Sequence, residues 1–268
     1  MPNLPLISDS HCHLDFKNFD GIREKVISSA IKAGVHRMVT ICTRLPQEPK
    51  VRKLAANYPE VFYAAGTHPM NVVSEPLAKV NQLIQLSQNS KFVGIGETGL
   101  DYHYTRESAK SQKESLLVHI SAAQETGLPL IIHSRAADKD ISEILEAEFK
   151  NKAFGCVMHC YTSGSKLAKR MLDLGFYLSM SGIVAFPKSY ELREIFKNTP
   201  LDRIVIETDS PYLAPPPMRG KTNQPMYATY TAKIGAQIFE MPYATFAKQT
   251  EKNFENLFFK TISSKKDK

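Results

Sequence analysis

The 268-residue sequence predicts a (β/α)8 TIM barrel, arranged as one domain over residues 1–262 and followed by a polar basic tail at 263–268. Short apolar, β-branched runs alternate with amphipathic helical stretches, and eight such runs are the pattern of an α/β barrel. The length supports the same architecture, because barrels of this class commonly occupy about 250 residues. An open doubly wound sheet is the alternative.

The strands are predicted from runs rich in Val, Ile, Leu and Phe. They lie at residues 6–9, 37–42, 61–66, 92–97, 130–133, 155–159, 176–181 and 204–208. Helical spacing of apolar residues predicts helices at 21–33, 77–87, 107–125, 141–149, 166–174 and 191–197. Gly34, Gly127 and Gly175 follow helical patterns, where a residue of positive φ ends a helix. Two further helices, at 227–239 and 244–259, are expected to cover the last strand and close the barrel.

Composition limits the class of partner and the compartment. The net charge of +7 favours an anionic partner such as a phosphate backbone, with a generic basic surface as the alternative. The four cysteines form no CxxC pair, which predicts reduced thiols in the cytoplasm. No apolar run approaches the roughly 20 residues of a membrane span, and the N-terminus lacks a signal-peptide pattern. We therefore expect a cytoplasmic protein without a membrane partner, for which a monomer is plausible.

Two histidines at the end of the first predicted strand, His11 and His13, are the most informative feature of the chain. Because side chains alternate along a strand, residues two apart point to the same side. Two imidazoles converging in this way are suited to binding a metal ion. The pair therefore predicts a metal site, and other ligands should follow other strands.

Four further strands end in such donors: Glu97, His133, His159 and Asp209 follow strands four, five, six and eight. In a (β/α)8 barrel, reactive groups gather at the C-terminal ends of the strands, so all six donors should share one mouth. Six exceed the three protein ligands usual for one catalytic ion, which favours two divalent ions (Mg, Mn or Zn). We expect one ion on His11, His13 and Asp209, another on His133 and His159, and Glu97 between them. Two such ions would activate water for hydrolysis.

The chain resembles the TatD family of metal-dependent deoxyribonucleases, within the wider metallo-hydrolase barrels. The resemblance covers nearly the whole chain and rests on SDSHCH at 8–13, GTHP at 66–69, GETGLDY at 96–102, HSR at 133–135, HCY at 159–161, ETDSPYL at 207–213 and RGKTNQP at 219–225. It implies the barrel, two divalent metals on the six residues named above, and cleavage of DNA phosphodiester bonds.

Other residues are expected to bind substrate. His68 ends the third strand and is predicted to contact substrate or phosphate, with a turn role as the alternative. Arg135 either clamps a phosphate through its guanidinium or forms a salt bridge that orients the loop. Lys221 and Asn223 lie in the loop after strand eight, a common phosphate-binding region of such barrels, although solvated loop residues are the alternative. Glu207 shares the inward face of Asp209 and is predicted to hold a metal ligand or Arg135 in place.

Several neighbours of the donors are expected to be structural. Asp9 is predicted to be a buried structural carboxylate. Cys12 and Cys160 are adjacent to donors, but alternation should turn them away from the metals. His119 is predicted to be a surface or helix residue, whereas His103 is a candidate for the mouth.

The favoured function is a divalent-metal-dependent deoxyribonuclease. It is expected to be an exonuclease that acts on single strands or ends, because a pocket at a barrel mouth admits a strand end more easily than the middle of a duplex. Asp209 is placed to accept the proton of the attacking water. Asp209 and Glu97, the residue expected between the two ions, are the predicted catalytic residues. The first alternative is a two-metal hydrolase of a small ester, lactone or amide. The second alternative is a non-catalytic binding module, which is disfavoured because none of the six donors is missing.

Overall fold

A computed structural model describes residues 5–263, which form a parallel sheet of eight strands in the order β1 to β8. Consecutive strands pair in parallel throughout. The last strand returns to the first, because Cys12 and Ser210 form a parallel bridge and the His13 amide donates to the Ser210 carbonyl over 2.8 Å. The predicted TIM barrel is confirmed, and the open-sheet alternative is wrong. The strands are β1 Ile7–Cys12, β2 Val35–Cys42, β3 Val61–Ala65, β4 Phe92–Asp101, β5 Leu130–Arg135, β6 Cys156–Met158, β7 Tyr177–Met180 and β8 Ile204–Ile206.

Helices connect the strands and form the outer layer. Every predicted helix is confirmed with shifts of a few residues at its ends. Helix α2 was not predicted: it is short and contains a proline, Pro49, which is tolerated because it lies in the first helical turn. The helices are α1 Arg23–Lys32, α2 Glu48–Ala56, α3 Val80–Leu86, α4 Ala109–Thr126, α5 Asp138–Asn151, α6 Ser165–Asp173, α7 Tyr190–Lys197, α8 Ala228–Ile238, α9 Tyr243–Leu257 and α10 Lys260–Ser263.

The C-terminal helices close the N-terminal end of the barrel. Phe254, Leu257 and Phe258 pack into the apolar cluster formed by the inward side chains of the strands. Arg37 of β2 is almost fully buried beneath them and pairs with Glu251 and Glu255 of α9, the latter at 2.7 Å. These contacts leave the opposite end, at the C-terminal ends of the strands, open for a functional site.

The predicted basic tail begins at residue 263, which is the last residue of α10, and 264–268 lie outside the described residues. Within residues 5–263, none of the helices is long and apolar enough to cross a bilayer.

Candidate metal centre

Glu97 lies at the middle of a cluster of imidazole rings at the C-terminal end of the barrel. Its Oε1 atom is 3.1 Å from His133 Nδ1, 3.4 Å from His68 Nε2 and 3.5 Å from His159 Nε2. Its Oε2 atom is 3.4 Å from His11 Nε2. One buried carboxylate therefore reaches imidazoles from four different strands or strand ends.

Asp209 lies next to Glu97 and is the second carboxylate close to several imidazoles. Its Oδ1 atom is 3.3 Å from His13 Nε2, 3.8 Å from His11 Nε2 and 4.0 Å from His159 Nε2. The structure thus brings all six predicted donors together. Their division between two ions stays a prediction, since His159 lies within reach of both carboxylates.

A β-bulge aims Glu97 into the barrel mouth. Gly96 pairs with Ile131 and Thr98 with Ile132, so Glu97 is an extra residue without a partner on β5. The prediction that Glu97 ends its strand is therefore wrong, because β4 continues to Asp101. Glycine is required on both sides of Glu97. A Cβ at Gly99 would lie 1.9 Å from the His133 carbonyl oxygen, and Gly96 has a φ of +129°, which residues with a Cβ rarely adopt.

A similar irregularity lies in β1. Asp9 pairs with Met38 and Cys12 with Thr40, so the strand contains one more residue than β2 opposite it. His11 therefore lies within β1 rather than after it. The His11 carbonyl accepts a hydrogen bond from the Asp209 amide at 2.9 Å, which fixes these two donors relative to each other.

Asp9 links β1 to the segment after β8, as expected of a buried structural carboxylate. Its oxygens accept hydrogen bonds from the Thr208 amide at 2.9 Å and the Thr208 hydroxyl at 2.6 Å. Burial raises the pKa of Asp9 to about 8, although these hydrogen bonds oppose the rise. Asp9 therefore holds the backbone that carries Asp209 and does not itself belong to the donor cluster.

Two carboxylates orient donor imidazoles from behind. Glu207, as predicted, holds a donor: its Oε2 lies 3.0 Å from His159 Nδ1, which directs Nε2 of that ring toward Glu97. Asp101 does the same for His133, with Oδ2 3.0 Å from Nε2 of the ring. Asp101 was not predicted as a site residue, although its position four residues after Glu97 on the same strand is a usable signal.

A second residue missed from the sequence is His119, which is fully buried on α4. Its Nε2 accepts a hydrogen bond from the Thr67 amide at 3.1 Å, and its Nδ1 is 2.7 Å from the Ser115 carbonyl. The first contact fixes the backbone that presents His68. Burial lowers the pKa of His119 to about 4, so the ring stays neutral and can accept this hydrogen bond.

The cluster has strongly perturbed protonation. Burial alone would lower the pKa of His159, but the carboxylates of Glu207 and Glu97 raise it to about 10. Burial disfavours ionised Glu97, yet the imidazoles of His68, His159 and His11 hold its pKa well below the usual range. Burial and the neighbouring His159 ring lower the pKa of His11. The carboxylates thus stay ionised and attract positive charge.

The donor set fits divalent metal ions. Both ring nitrogens of His11 are buried without a hydrogen-bond partner, and so is Glu207 Oε1. Ligand atoms of His11, His13 and Glu97 lie within 4.8 Å of one another, as do those of His68, Glu97 and His133. Unpaired buried polar atoms are costly, and a bound cation would satisfy them. Imidazole and carboxylate donors suit Zn, Mn and related ions.

A cavity of about 870 Å³ opens above the cluster. His68 and Arg135 both line it, and their contact with a substrate stays a prediction. The guanidinium of Arg135 lies over the Tyr104 ring, 4.7 Å from its centroid. Cys160 also lines the cavity, and its thiol donates a hydrogen bond to the Ser181 hydroxyl at 3.3 Å. Cys12 is buried, as expected.

The two predicted substrate contacts of the loop after β8 lie elsewhere. Asn223 is fully buried, and its amide donates to the carbonyls of Thr208 at 2.8 Å and Tyr212 at 2.5 Å. The substrate-binding prediction for Asn223 is therefore wrong, because its side chain fixes the loop instead. Lys221 is exposed and does not line the cavity, so the structure does not bring it to the cluster.

A barrel with this cluster of imidazoles and carboxylates at its mouth is the architecture of a metal-dependent hydrolase. The chain belongs to the TatD related DNase family, whose model matches residues 8–259. The resemblance found in the sequence motifs is confirmed.

Individual relatives match over nearly their whole length. The uncharacterized metal-dependent hydrolase YcfH of Escherichia coli K12 is 39% identical over 93% of this chain and 94% of its own. A 3'-5' ssDNA/RNA exonuclease TatD of Escherichia fergusonii is 29% identical over 93% of this chain and 98% of its own. The crystal structure of YJJV, a TatD homologue from Escherichia coli K12, superposes with a TM-score of 0.88 at 27% identity, covering 94% of this chain and 98% of that one.

Proposed function

We propose that this protein is a divalent-metal-dependent deoxyribonuclease that cleaves phosphodiester bonds at the ends of single DNA strands. The observation that carries the proposal is the donor cluster, in which Glu97 contacts imidazoles on both sides and Asp209 lies beside it. His11, His13, Glu97, His133, His159 and Asp209 would hold two divalent ions. When bound, these ions lower the pKa of water and polarise a phosphoryl oxygen.

The side chains of the chain itself would orient the phosphate and accept a proton. Asp209 is the proton acceptor: the hydrogen bond from His13 and the surrounding imidazoles keep its pKa below the usual range despite burial, so it is ionised at neutral pH. Its side chain is 15% exposed at the cavity, where water enters. The Glu97 carboxylate holds the surrounding histidine rings close to one another. His68 and Arg135 would contact the phosphate from the cavity wall.

A nucleic-acid substrate is supported by the net charge of the chain and by its similarity to a named exonuclease. The chain carries a net charge of +7, which favours association with a phosphate backbone. The Escherichia fergusonii relative carries the name of a 3'-5' ssDNA/RNA exonuclease. A cavity enclosed by the loops of a barrel admits the end of a strand more readily than the middle of a duplex. The four cysteines are all free thiols, which supports action in the cytoplasm.

The test is release of nucleotides from single-stranded DNA by the purified protein under Mg, Mn or Zn, paired with a measurement of bound metal per chain. Hydrolysis should stop with EDTA and with Asp209→Ala. The matched control is Asp202→Ala, which changes an exposed aspartate of the loop before β8. Rapid turnover of lactones, esters or amides with none of DNA would replace this proposal by the small-molecule alternative.

A further inference from the structure

Two aromatic surfaces line the cavity beside the donor cluster, and of their residues the steps above use only Arg135. The first, here called the rim pair, consists of Phe16 and Tyr212, whose ring centroids are 6.1 Å apart in an edge-to-face arrangement. The second, here called the rim stack, consists of Tyr104 and the Arg135 guanidinium 4.7 Å above it. All four residues line the same cavity as Glu97 and Asp209.

The barrel topology puts these surfaces on opposite sides of the mouth. The rim pair follows β1 and β8, which are neighbours. The rim stack lies at the C-terminal ends of β4 and β5, which are neighbours as well. Two strands separate the groups in each direction around the barrel. The donor cluster therefore lies between a pair of rings on one side and a ring stacked with a guanidinium on the other.

Both surfaces are accessible to a ligand. Tyr212 is 53% exposed and Tyr104 is 55% exposed, although each could bury a large apolar area. Single exposed aromatics are common on protein surfaces and need no explanation. Here, however, two of them face one cavity from opposite sides of a centre suited to phosphodiester cleavage. Flat rings and a stacked guanidinium are the groups on which nucleobases stack.

We infer that the rim pair and the rim stack bind the two nucleobases on either side of the phosphate being cleaved. The inference rests on the proposed nuclease function and adds a substrate requirement to it. One base stacks on Tyr212 and the next stacks on Tyr104, so the strand spans the mouth with its phosphate over Glu97 and Asp209. Bases in a duplex are already stacked and paired, which makes a single strand or a frayed end the substrate.

The experiment compares an all-thymidine oligonucleotide with versions in which one of the two terminal nucleotides is abasic. These substrates keep the same phosphates, so only base contacts change. For the native protein, loss of either base should lower kcat/KM by about tenfold to a hundredfold. Tyr212→Ala should remove the effect of one abasic position and Tyr104→Ala that of the other. Tyr212→Phe and Tyr104→Phe, which keep the rings, should retain it.

Tyr190→Ala is the matched control, because Tyr190 is an exposed tyrosine on α7 with Arg193 stacked 4.8 Å over its ring, and it does not line the cavity. The inference is overturned if native protein cleaves abasic and normal ends equally fast. It is also overturned if each alanine variant slows both substrates by the same factor. If no phosphodiester is cleaved at all, the proposed function fails instead. In that case, base stacking is tested by the fluorescence of a terminal 2-aminopurine in a phosphorothioate oligonucleotide. Stacking requires that native protein quenches this fluorescence and that Tyr212→Ala does not.

Discussion

Replacing His119 by leucine should change how the stability of the protein depends on pH. His119 is fully buried, and its neutral ring accepts a hydrogen bond from the Thr67 amide. Protonation would place an N–H group against that amide and would put an uncompensated charge in the core. The unfolded chain has no such constraint and binds the proton near the ordinary pKa.

The sign and size follow from the two pKa values of His119. Burial lowers the value from 6.5 in the unfolded chain to about 4 in the folded chain. Between these values the unfolded state binds more protons, so stability is fully present above pH 6.5 and is lost as pH falls toward 4. The full loss corresponds to about 3 kcal/mol of unfolding free energy.

His119→Leu removes this titration but leaves the Thr67 amide without its partner, which costs about 1–3 kcal/mol at neutral pH. The variant should therefore be less stable than native protein at pH 7, and the difference should shrink or reverse by pH 4.5. Urea denaturation across this range measures it, and other titrating groups cancel in the difference. His103→Leu, at an exposed histidine, controls for loss of an imidazole as such. A difference that stays constant from pH 7.5 to 4.5 would refute the reasoning.

Three further outcomes are expected. Glu207→Gln should weaken metal binding about 10- to 100-fold in a calorimetric titration, because the carboxylate that orients the His159 ring is lost; unchanged affinity would contradict the role. Asn223→Ala should lower the unfolding free energy by about 1–3 kcal/mol in urea, since two carbonyls lose a buried donor, whereas Lys221→Ala should be neutral. EDTA should lower the thermal midpoint, and added divalent metal should restore it; a midpoint indifferent to both would argue against bound ions.

The donors were predictable because a (β/α)8 barrel brings the ends of its strands to one face. Once the strands were identified, polar residues at their ends had to meet, and His13, His133 and Asp209 do so. The alternation rule was sufficient for His11 and His13, whose rings lie 5.1 Å apart. Local pattern and topology therefore gave the six donors without any knowledge of distances.

The remaining features depend on irregular backbone and on contacts between residues distant in sequence. A bulge at Glu97 adds one residue to β4, and a strict period of two does not indicate where such a residue occurs. His119 contacts Thr67 across 52 positions, so nothing local in α4 reveals its partner. The loop after β8 contains both Asn223 and Lys221, and only the fold distinguishes the buried amide from the exposed ammonium.

Charge balance gives a reason to expect two ions rather than one. Glu97, Asp101, Glu207 and Asp209 lie in or directly behind the cluster, and three of them are almost completely shielded from solvent. With neutral imidazoles, these carboxylates carry four negative charges in a poorly hydrated space, which is costly without compensation. Two divalent cations supply an equal positive charge. A single ion would leave two negative charges to be balanced by protonated imidazoles. A positively charged imidazole has a proton on both nitrogens and therefore cannot bind a metal. Charge balance therefore favours the proposed pair of ions over a single ion, because the pair would leave most of the histidines free to act as ligands.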